Sequence, residues 1–437
     1  MRRFVKAKRK EMLVQFSFSN YKSFKDKVTL NLKASTSKAD EARACASGFG
    51  YSVLKAVAVY GANASGKTKL FDALKFMKMV VCPPQTDNLP MFDYWKHLYS
   101  PFRLSSSSAA SPSLFEVVFI MDGEQFKYGF ELNKDVILKE WLLRKTQRWT
   151  TLFTREGNDI TCAKANINER IAKTLIDAHM VSSSTTFLGA LAAFNEPLAN
   201  RLRAWFSSVV IVSANDMGLS VSALQNEEWK SSMLSFVKMF DIGIEDLMPH
   251  EIGVEQIPDK IKAILGLDRL KGQVYDGIIA RHRVYNDLYE RDGSVWFSME
   301  QEESFGTNRL MLLSHPIVNA LRNNTVLLVD EIDSGIHTLV LKSIIETFYR
   351  KSKSAQIVFN THCTPLLGMD SSTAGRLLNK DQVYFVNKNM YGESSLTAMQ
   401  EYEGNLRSNL ERKYLDGYLE GVPAIDEDAI NLREVAQ

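Results

Sequence analysis

Cysteine is scarce in this chain of 437 residues. The four present, Cys45, Cys82, Cys162 and Cys363, lie far apart and include no C-x-x-C pair. Neither a disulfide framework nor a cysteine zinc site is indicated, and a reduced, cytoplasmic setting fits. Long apolar runs are missing too: none reaches the ~18 residues that a membrane-spanning helix needs, so no membrane partner is expected. The basic leader MRRFVKAKRK is followed by EMLVQFSFSNYKSF, which polar residues interrupt, so a signal peptide is not indicated. The leader reads as disordered, with Met12 as an alternative start. An excess of one charge is also absent, with 53 Lys and Arg against 51 Asp and Glu. That balance neither demands nor excludes nucleic acid. There is no internal repeat and no sustained heptad pattern. A hydrophobic content of 45% and a charged content of 24% are ordinary for a globular chain.

The segments LVQFSFSN and KVTLNLKA alternate like half-buried strands around the turn-like YKSFKD. LKAVAVY is a short apolar run, GANASGKT is a glycine loop, and LFDALKFMKMVV has helical spacing. Beyond the Ser-rich LSSSSAASPS, residues 114–143 read as strands with hairpin signals at Asp122-Gly123 and Asn133-Lys134. Residues 165–300 read as mostly helical, including NERIAKTLIDAHM, SSMLSFVKMF and PDKIKAILG. From 301 the β/α alternation returns with NTVLLVDEI, LVLKSIIETFYRKS and AQIVFN. The expected organisation is one α/β unit in two parts, 1–164 and 301–437, split by a compact helical insertion or lid over 165–300.

The glycine loop matches G-x-x-x-x-G-K-[ST] and sits between a strand and a helix, the context that gives this pattern its meaning. Gly61, Ala62, Asn63, Ala64, Ser65 and Gly66 would wrap backbone N–H groups around phosphate oxygens, with the helix dipole behind them. Lys67 would reach the β- and γ-phosphates, and Thr68 would hold Mg²⁺. The cofactors expected are therefore ATP and Mg²⁺.

TVLLVDEID is an apolar strand that ends in carboxylates. Asp330 stands where such strands bind Mg²⁺, and Glu331 where a base polarises water. The next strand, QIVFN, ends in Thr361-His362, and His362 is expected to contact the γ-phosphate. His315 and His337 read as structural. In EESFGTNRLMLL, Ser304 and Gly306 open an apolar helix whose N-terminus suits an anion.

In their order and spacing these motifs resemble the ABC-type ATPase head of SMC-like and OLD-like ATPases. They most resemble the AAA-annotated ATPases of bacterial anti-phage and abortive-infection systems, such as the RloA-type and AriA-type proteins. FSFSNYKSF resembles that family's opening strand and turn, GANASGKT its Walker A, and ESFGTNR a variant of its signature. LLVDEIDSGIH resembles its Walker B, catalytic Glu and D-loop, NTHCTPLL its switch-histidine strand, and ERKYLDGYLEGVPAI its C-terminal helix and tail. The resemblance implies a P-loop fold with a β-rich N-lobe and two heads that sandwich ATP as a homodimer or higher oligomer. Ser304 and Gly306 would act in trans, with the D-loop residues Asp333 and Ser334 at the interface. It also implies a separately encoded effector, a nuclease or toxin, under the control of a nucleotide-dependent switch. The signature lacks the L-S-G-G-Q form. Gln125 lies in the general region of the Q-loop, but a glutamine on a hairpin is more often just a turn residue.

OLD-like nucleases carry paired acidic metal ligands after the head, and no D-x-D pair beside a strong strand follows His362 here; DEDAI reads as a solvated tail. KEWLLRKTQRW and RHRVYNDLYER mix basic and aromatic residues, so DNA is a candidate partner, although solvated faces explain both. The alternatives to a defence ATPase are a DNA repair or recombination ATPase, a transporter ATPase subunit, and a GTPase. For the last, FVNKNM offers Asn387 and Lys388 but has Met390 where N-K-x-D needs Asp.

Overall fold

The computed structural model describes residues 11–35, 42–86, 89–163, 167–214, 216, 221–240, 243–253, 255, 262, 273–370, 375–402 and 410–422. In chain order, β1 (Glu11–Ser19) and β2 (Val28–Asn31) precede β3 (Ala56–Gly61), which leads through the glycine loop into α1 (Lys67–Val81). A meander follows: β4 (Ser113–Met121), β5 (Glu124–Leu132), β6 (Ile137–Lys145), β7 (Trp149–Glu156) and β8 (Asp159–Cys162). Helices α2 (Glu169–Asp177), α3 (Phe187–Ala193) and α4 (Pro197–Ser208) then lead to β9 (Val210–Val212). Helix α5 (Glu227–Val237) precedes β10 (Asp246–Gly253), β11 (Gln273–Tyr285) and β12 (Arg291–Ser298). Next come α6 (Phe305–Asn323), β13 (Val326–Val329), α7 (Thr338–Lys351) and β14 (Gln356–Asn360). The last elements among the described residues are β15 (Val383–Lys388), β16 (Ser394–Ala398) and α8 (Leu410–Leu415).

Two sheets carry the architecture. One is antiparallel, in the order β8-β7-β6-β5-β4-β1-β2; the other runs β9-β13-β14-β3-β15-β16 and is parallel except at β16. The DG turn between β4 and β5 has both residues at positive φ, 54° and 81°, the twist a tight hairpin requires. The central parallel sheet is buried on both faces. In β3, Val57 and Val59 face the core shared with the antiparallel sheet, α1, α3 and α4. Ala56, Ala58 and Tyr60 face a second core with α5, α6 and α7. Successive side chains of a strand point to opposite faces, so an all-apolar run of this length is what a sheet covered on both sides demands. The expected α/β architecture, a P-loop core beside a β-rich lobe, is what the chain adopts.

Residues 165–300 are more mixed than their pattern suggests. NERIAKTLIDAHM contains α2, and SSMLSFVKMF carries the C-terminal part of α5, helical as read. In contrast, β10, β11 and β12 make a three-stranded antiparallel sheet, and RHRVYNDLYER is the hairpin between β11 and β12. The reason is a period of two: Ile278 and Ala280 point inward, while Arg281 and Arg283 alternate with them and lie outside the core. Strand β9, from the same stretch, pairs with β13 at the edge of the central sheet. The basic leader, most of PDKIKAILG and the DEDAI tail lie outside the described residues.

Candidate functional site

Strands β3, β14 and β13 are parallel neighbours, so their C-terminal ends emerge side by side. Ligands of open α/β sheets bind at that edge. After β3 the glycine loop turns sharply, with Ala64 at φ 60° and Gly66 at φ 120°. A Cβ on Gly61 would lie 2.5 Å from the Val386 carbonyl oxygen, and one on Gly66 would lie 2.6 Å from Ser394 Oγ. Both positions therefore need glycine for space, and Gly66 for its backbone as well. Ser394 Oγ donates to the Ser65 carbonyl at 2.6 Å, so β16 braces the loop from behind. Gly66 caps the 15-residue α1 without a side-chain hydrogen bond, which leaves the first N–H groups of the helix facing the cleft edge. Lys67 Nζ donates to the carbonyls of Gly61, at 2.8 Å, and Ala62, at 2.9 Å.

The acidic strand meets this loop directly. Thr68 Oγ1 donates to Asp330 Oδ1 at 3.1 Å. Asn360, fully buried at the end of β14, holds both acidic residues: its Nδ2 donates to Asp330 Oδ1, and its Oδ1 accepts the Glu331 N–H at 2.6 Å. Glu331 sits at φ 49°, a left-handed conformation uncommon for a non-glycine residue. Asp333 Oδ2 accepts the His362 N–H at 3.1 Å, which ties the turn after β13 to the end of β14. Arg309, buried on α6, donates through Nη2 to the carbonyl of Asp330 at 2.9 Å.

One cleft of about 630 Å³ is lined by residues 63–69 of the glycine loop, Glu331 and His362, with Lys22, Arg103 and Lys388 at its walls. Burial lowers the pKa of Lys67, opposed by the nearby carboxylates of Glu331, Asp330 and Asp333. Burial, and next the Lys67 charge, hold the pKa of His362 below its ordinary 6.5. A neutral His362 is thereby favoured beside a cationic Lys67.

The donor set fits a nucleotide with a hard divalent cation. Ser65 Oγ is buried without a partner in the cleft wall, and the loop places its glycines where any Cβ would collide. Thr68 and Asp330 offer one hydroxyl and one carboxylate, the sparse oxygen set with which Mg²⁺ combines substrate phosphate and water.

Most of the other residues singled out from the sequence do not line this cleft. Ser304 caps α6 by accepting the Thr307 N–H at 3.1 Å and is exposed. A Cβ on Gly306 would lie 2.6 Å from the Gly335 carbonyl oxygen, so the start of α6 packs on the turn that contains Asp333 and Ser334. Gln125 is buried in β5, away from the loop. His337 caps α7 through Nδ1, and His315 packs on Trp229. Trp141 of KEWLLRKTQRW lies against Gly129 and donates to Glu116, while Arg281, Arg283 and Arg291 gather on Glu245. Of FVNKNM, Lys388 reaches the cleft and Met390 is exposed to solvent. Sequence reasoning missed Asn360 and Arg309, although both stood inside the motifs quoted above, in N-T-H and E-S-F-G-T-N-R.

The chain is similar in outline to solved SMC heads. The SMC head domain from Thermotoga maritima aligns at 14% identity and TM-score 0.37, covering 89% of this chain and 98% of that one. The SmcHead bound to the C-winged helix domain of ScpA aligns at 14% and 0.42, with the same coverage. The Smc head domain with an extended coiled coil bound to the C-terminal domain of ScpA, derived from Pyrococcus furiosus, aligns at 12% and 0.39, covering 90% and 97%. No curated protein matches the sequence. A family model does match, over residues 56–178 and 213–370, which is more than half of the chain and takes in the glycine loop, the acidic strand and the His362 strand. The chain belongs to that family, described as "AAA domain, putative AbiEii toxin, Type IV TA system".

Proposed function

We propose that the chain is a Mg²⁺-dependent ATPase of the ABC type, acting as a nucleotide-dependent switch in anti-phage defence that controls a separately encoded effector. The observation that carries the ATPase part is the Asn360 clamp. It presents Asp330 to Thr68 and turns Glu331 into the cleft that the glycine loop shares with His362. Loop N–H groups and Lys67 bind the phosphates. Thr68 and Asp330 hold Mg²⁺, which when bound neutralises phosphate charge. Glu331 orients a water and accepts its proton, and neutral His362 offers a hydrogen bond at the γ-phosphate side. Ser304 and Gly306, on an exposed helix start, serve the cleft of a second copy, and Asp333 and Ser334 lie along the interface so formed. The defence role rests on the motif resemblance set out above, and a cytoplasmic setting goes with it.

The test measures ATP turnover and oligomeric state for the wild type, Lys67→Ala and Glu331→Gln. The proposal expects Glu331→Gln to assemble with ATP while turning over on the order of 10²–10⁴ times more slowly, the usual loss on removing a general base. Lys67→Ala should neither bind nor assemble. Normal turnover by Glu331→Gln would remove the base and the acidic-strand assignment together.

A further inference from the structure

The C-terminal segment has no role in the mechanism above, yet it touches the site at two places. Gly421 lies at φ 85°, and a Cβ there would stand 2.9 Å from Gly61 Cα and 3.2 Å from the Val386 carbonyl oxygen. Gly61, the first residue of the glycine loop, meets that same carbonyl. Two glycines and one carbonyl thus pack backbone against backbone. Tyr414 Oη donates to the Gly421 carbonyl at 2.9 Å, and its ring packs 5.7 Å from Tyr60, the residue before Gly61. The second contact is to the other side of the cleft. Thr364 Oγ1 donates to Glu411 Oε1 at 3.0 Å, and Thr364 opens the short turn just after His362 and Cys363. Tyr60 closes the circuit, its hydroxyl donating to the Cys363 carbonyl at 3.0 Å.

We infer that residues 410–422 are a positioning element of the nucleotide site, with Gly421 and Tyr414 setting the start of the glycine loop and Glu411 setting the loop that carries His362. The inference rests on the ATPase reading. The two arms act on different steps. The Gly421 arm bears on the residues that hold phosphate, so its loss weakens nucleotide binding. The Glu411 arm bears on a residue that acts during turnover, so its loss slows the chemical step. Plain packing of this segment predicts no such division: it would lower stability and leave both kinetic constants alone.

The experiment measures ATP binding, KM, kcat and melting temperature on the full chain for four variants. Gly421→Ala should raise KM about tenfold with kcat nearly unchanged, as expected when a small displacement spoils a pre-set geometry. Tyr414→Phe, which removes only the hydroxyl, should move KM in the same direction and less. Glu411→Ala should lower kcat severalfold at unchanged KM, and Glu411→Gln, which keeps an acceptor for Thr364, should restore most of that loss. If Gly421→Ala fails to fold, the Tyr414 and Glu411 variants still decide the matter. Variants that melt earlier but keep wild-type KM and kcat would overturn this inference alone. A wild type that binds no ATP would overturn it together with the ATPase reading.

Discussion

Around Asn360, which is buried together with Asp330, the polar groups find partners from distant parts of the chain. Asp330 meets Thr68, Glu331 and Asp330 share Asn360, and His362 is tied to Asp333. Around Ser304 the opposite holds. The serine bonds only within its own turn, Phe305 is 60% exposed, and Leu339 on the adjacent α7 is 67% exposed. A buried group left unpaired costs about 1–3 kcal/mol, so Asn360 and the Asp330 carboxylate must find their partners within one chain. The second region carries no such cost and leaves two large apolar side chains in water. The contrast separates a half-site that folding itself assembles from one that, in the proposed sandwich, is completed only by a second copy.

The sharpest way to break this contrast is to remove its centre. Asn360→Ala would orphan the Glu331 N–H and leave the Asp330 carboxylate with Thr68 as its partner. Turnover should fall on the order of 10²–10³, in line with the loss of a preorganised electrostatic group. The fold should also lose about 1–3 kcal/mol, read as a lower melting temperature. Wild-type turnover here would mean that Asn360 is only a strand-end residue. A smaller effect is expected from the exposed half. Ser304→Ala should cost about 0.5–2 kcal/mol of stability through the lost α6 cap, leave nucleotide affinity intact and reduce turnover about a hundredfold or less. Because Ser304 is assigned in trans, mixing Ser304→Ala with Lys67→Ala should restore activity, since one site of each mixed dimer is then intact. Mixtures no more active than their parts would place Ser304 in its own chain's site or in none.

The same contrast explains what could be read without coordinates. The glycine loop, the acidic strand and their flanking helices were legible because each is local: a turn that needs glycine, then apolar runs at strand or helix spacing. Asn360 and Arg309 were visible as letters but silent as roles, since their partners lie 29 or 30 and 21 or 22 residues away and meet them only through the order of strands. The brace from Gly421 to Gly61 spans almost the whole chain and leaves no periodic trace. The β11–β12 hairpin does not stand out from the helical stretch around it, because arginines in RHRVY mask the alternation of Ile278 and Ala280, which burial makes plain.

The smallest effect concerns protons, and it sets a histidine of the site against one on α6. His362 and His315 both have pKa values held below 6.5, but for different reasons: burial alone lowers His315, whereas the charge of Lys67 assists burial at His362. In the unfolded chain both take protons as pH falls through about 6.5. The folded chain resists until lower pH, so the unfolded state binds more protons across that window. Stability from this source is therefore full above pH 6.5 and declines below it as the folded-state midpoints are crossed. Lys67→Ala distinguishes the two. Removing that charge should raise the titration midpoint of His362 toward 6.5, the Asp333 and Glu331 carboxylates reinforcing the rise, and should leave His315 where it was. Histidine ring signals followed by NMR through a pH titration would show it. Midpoints that shift together, or not at all, would mean that Lys67 and His362 are not electrostatic neighbours across the cleft.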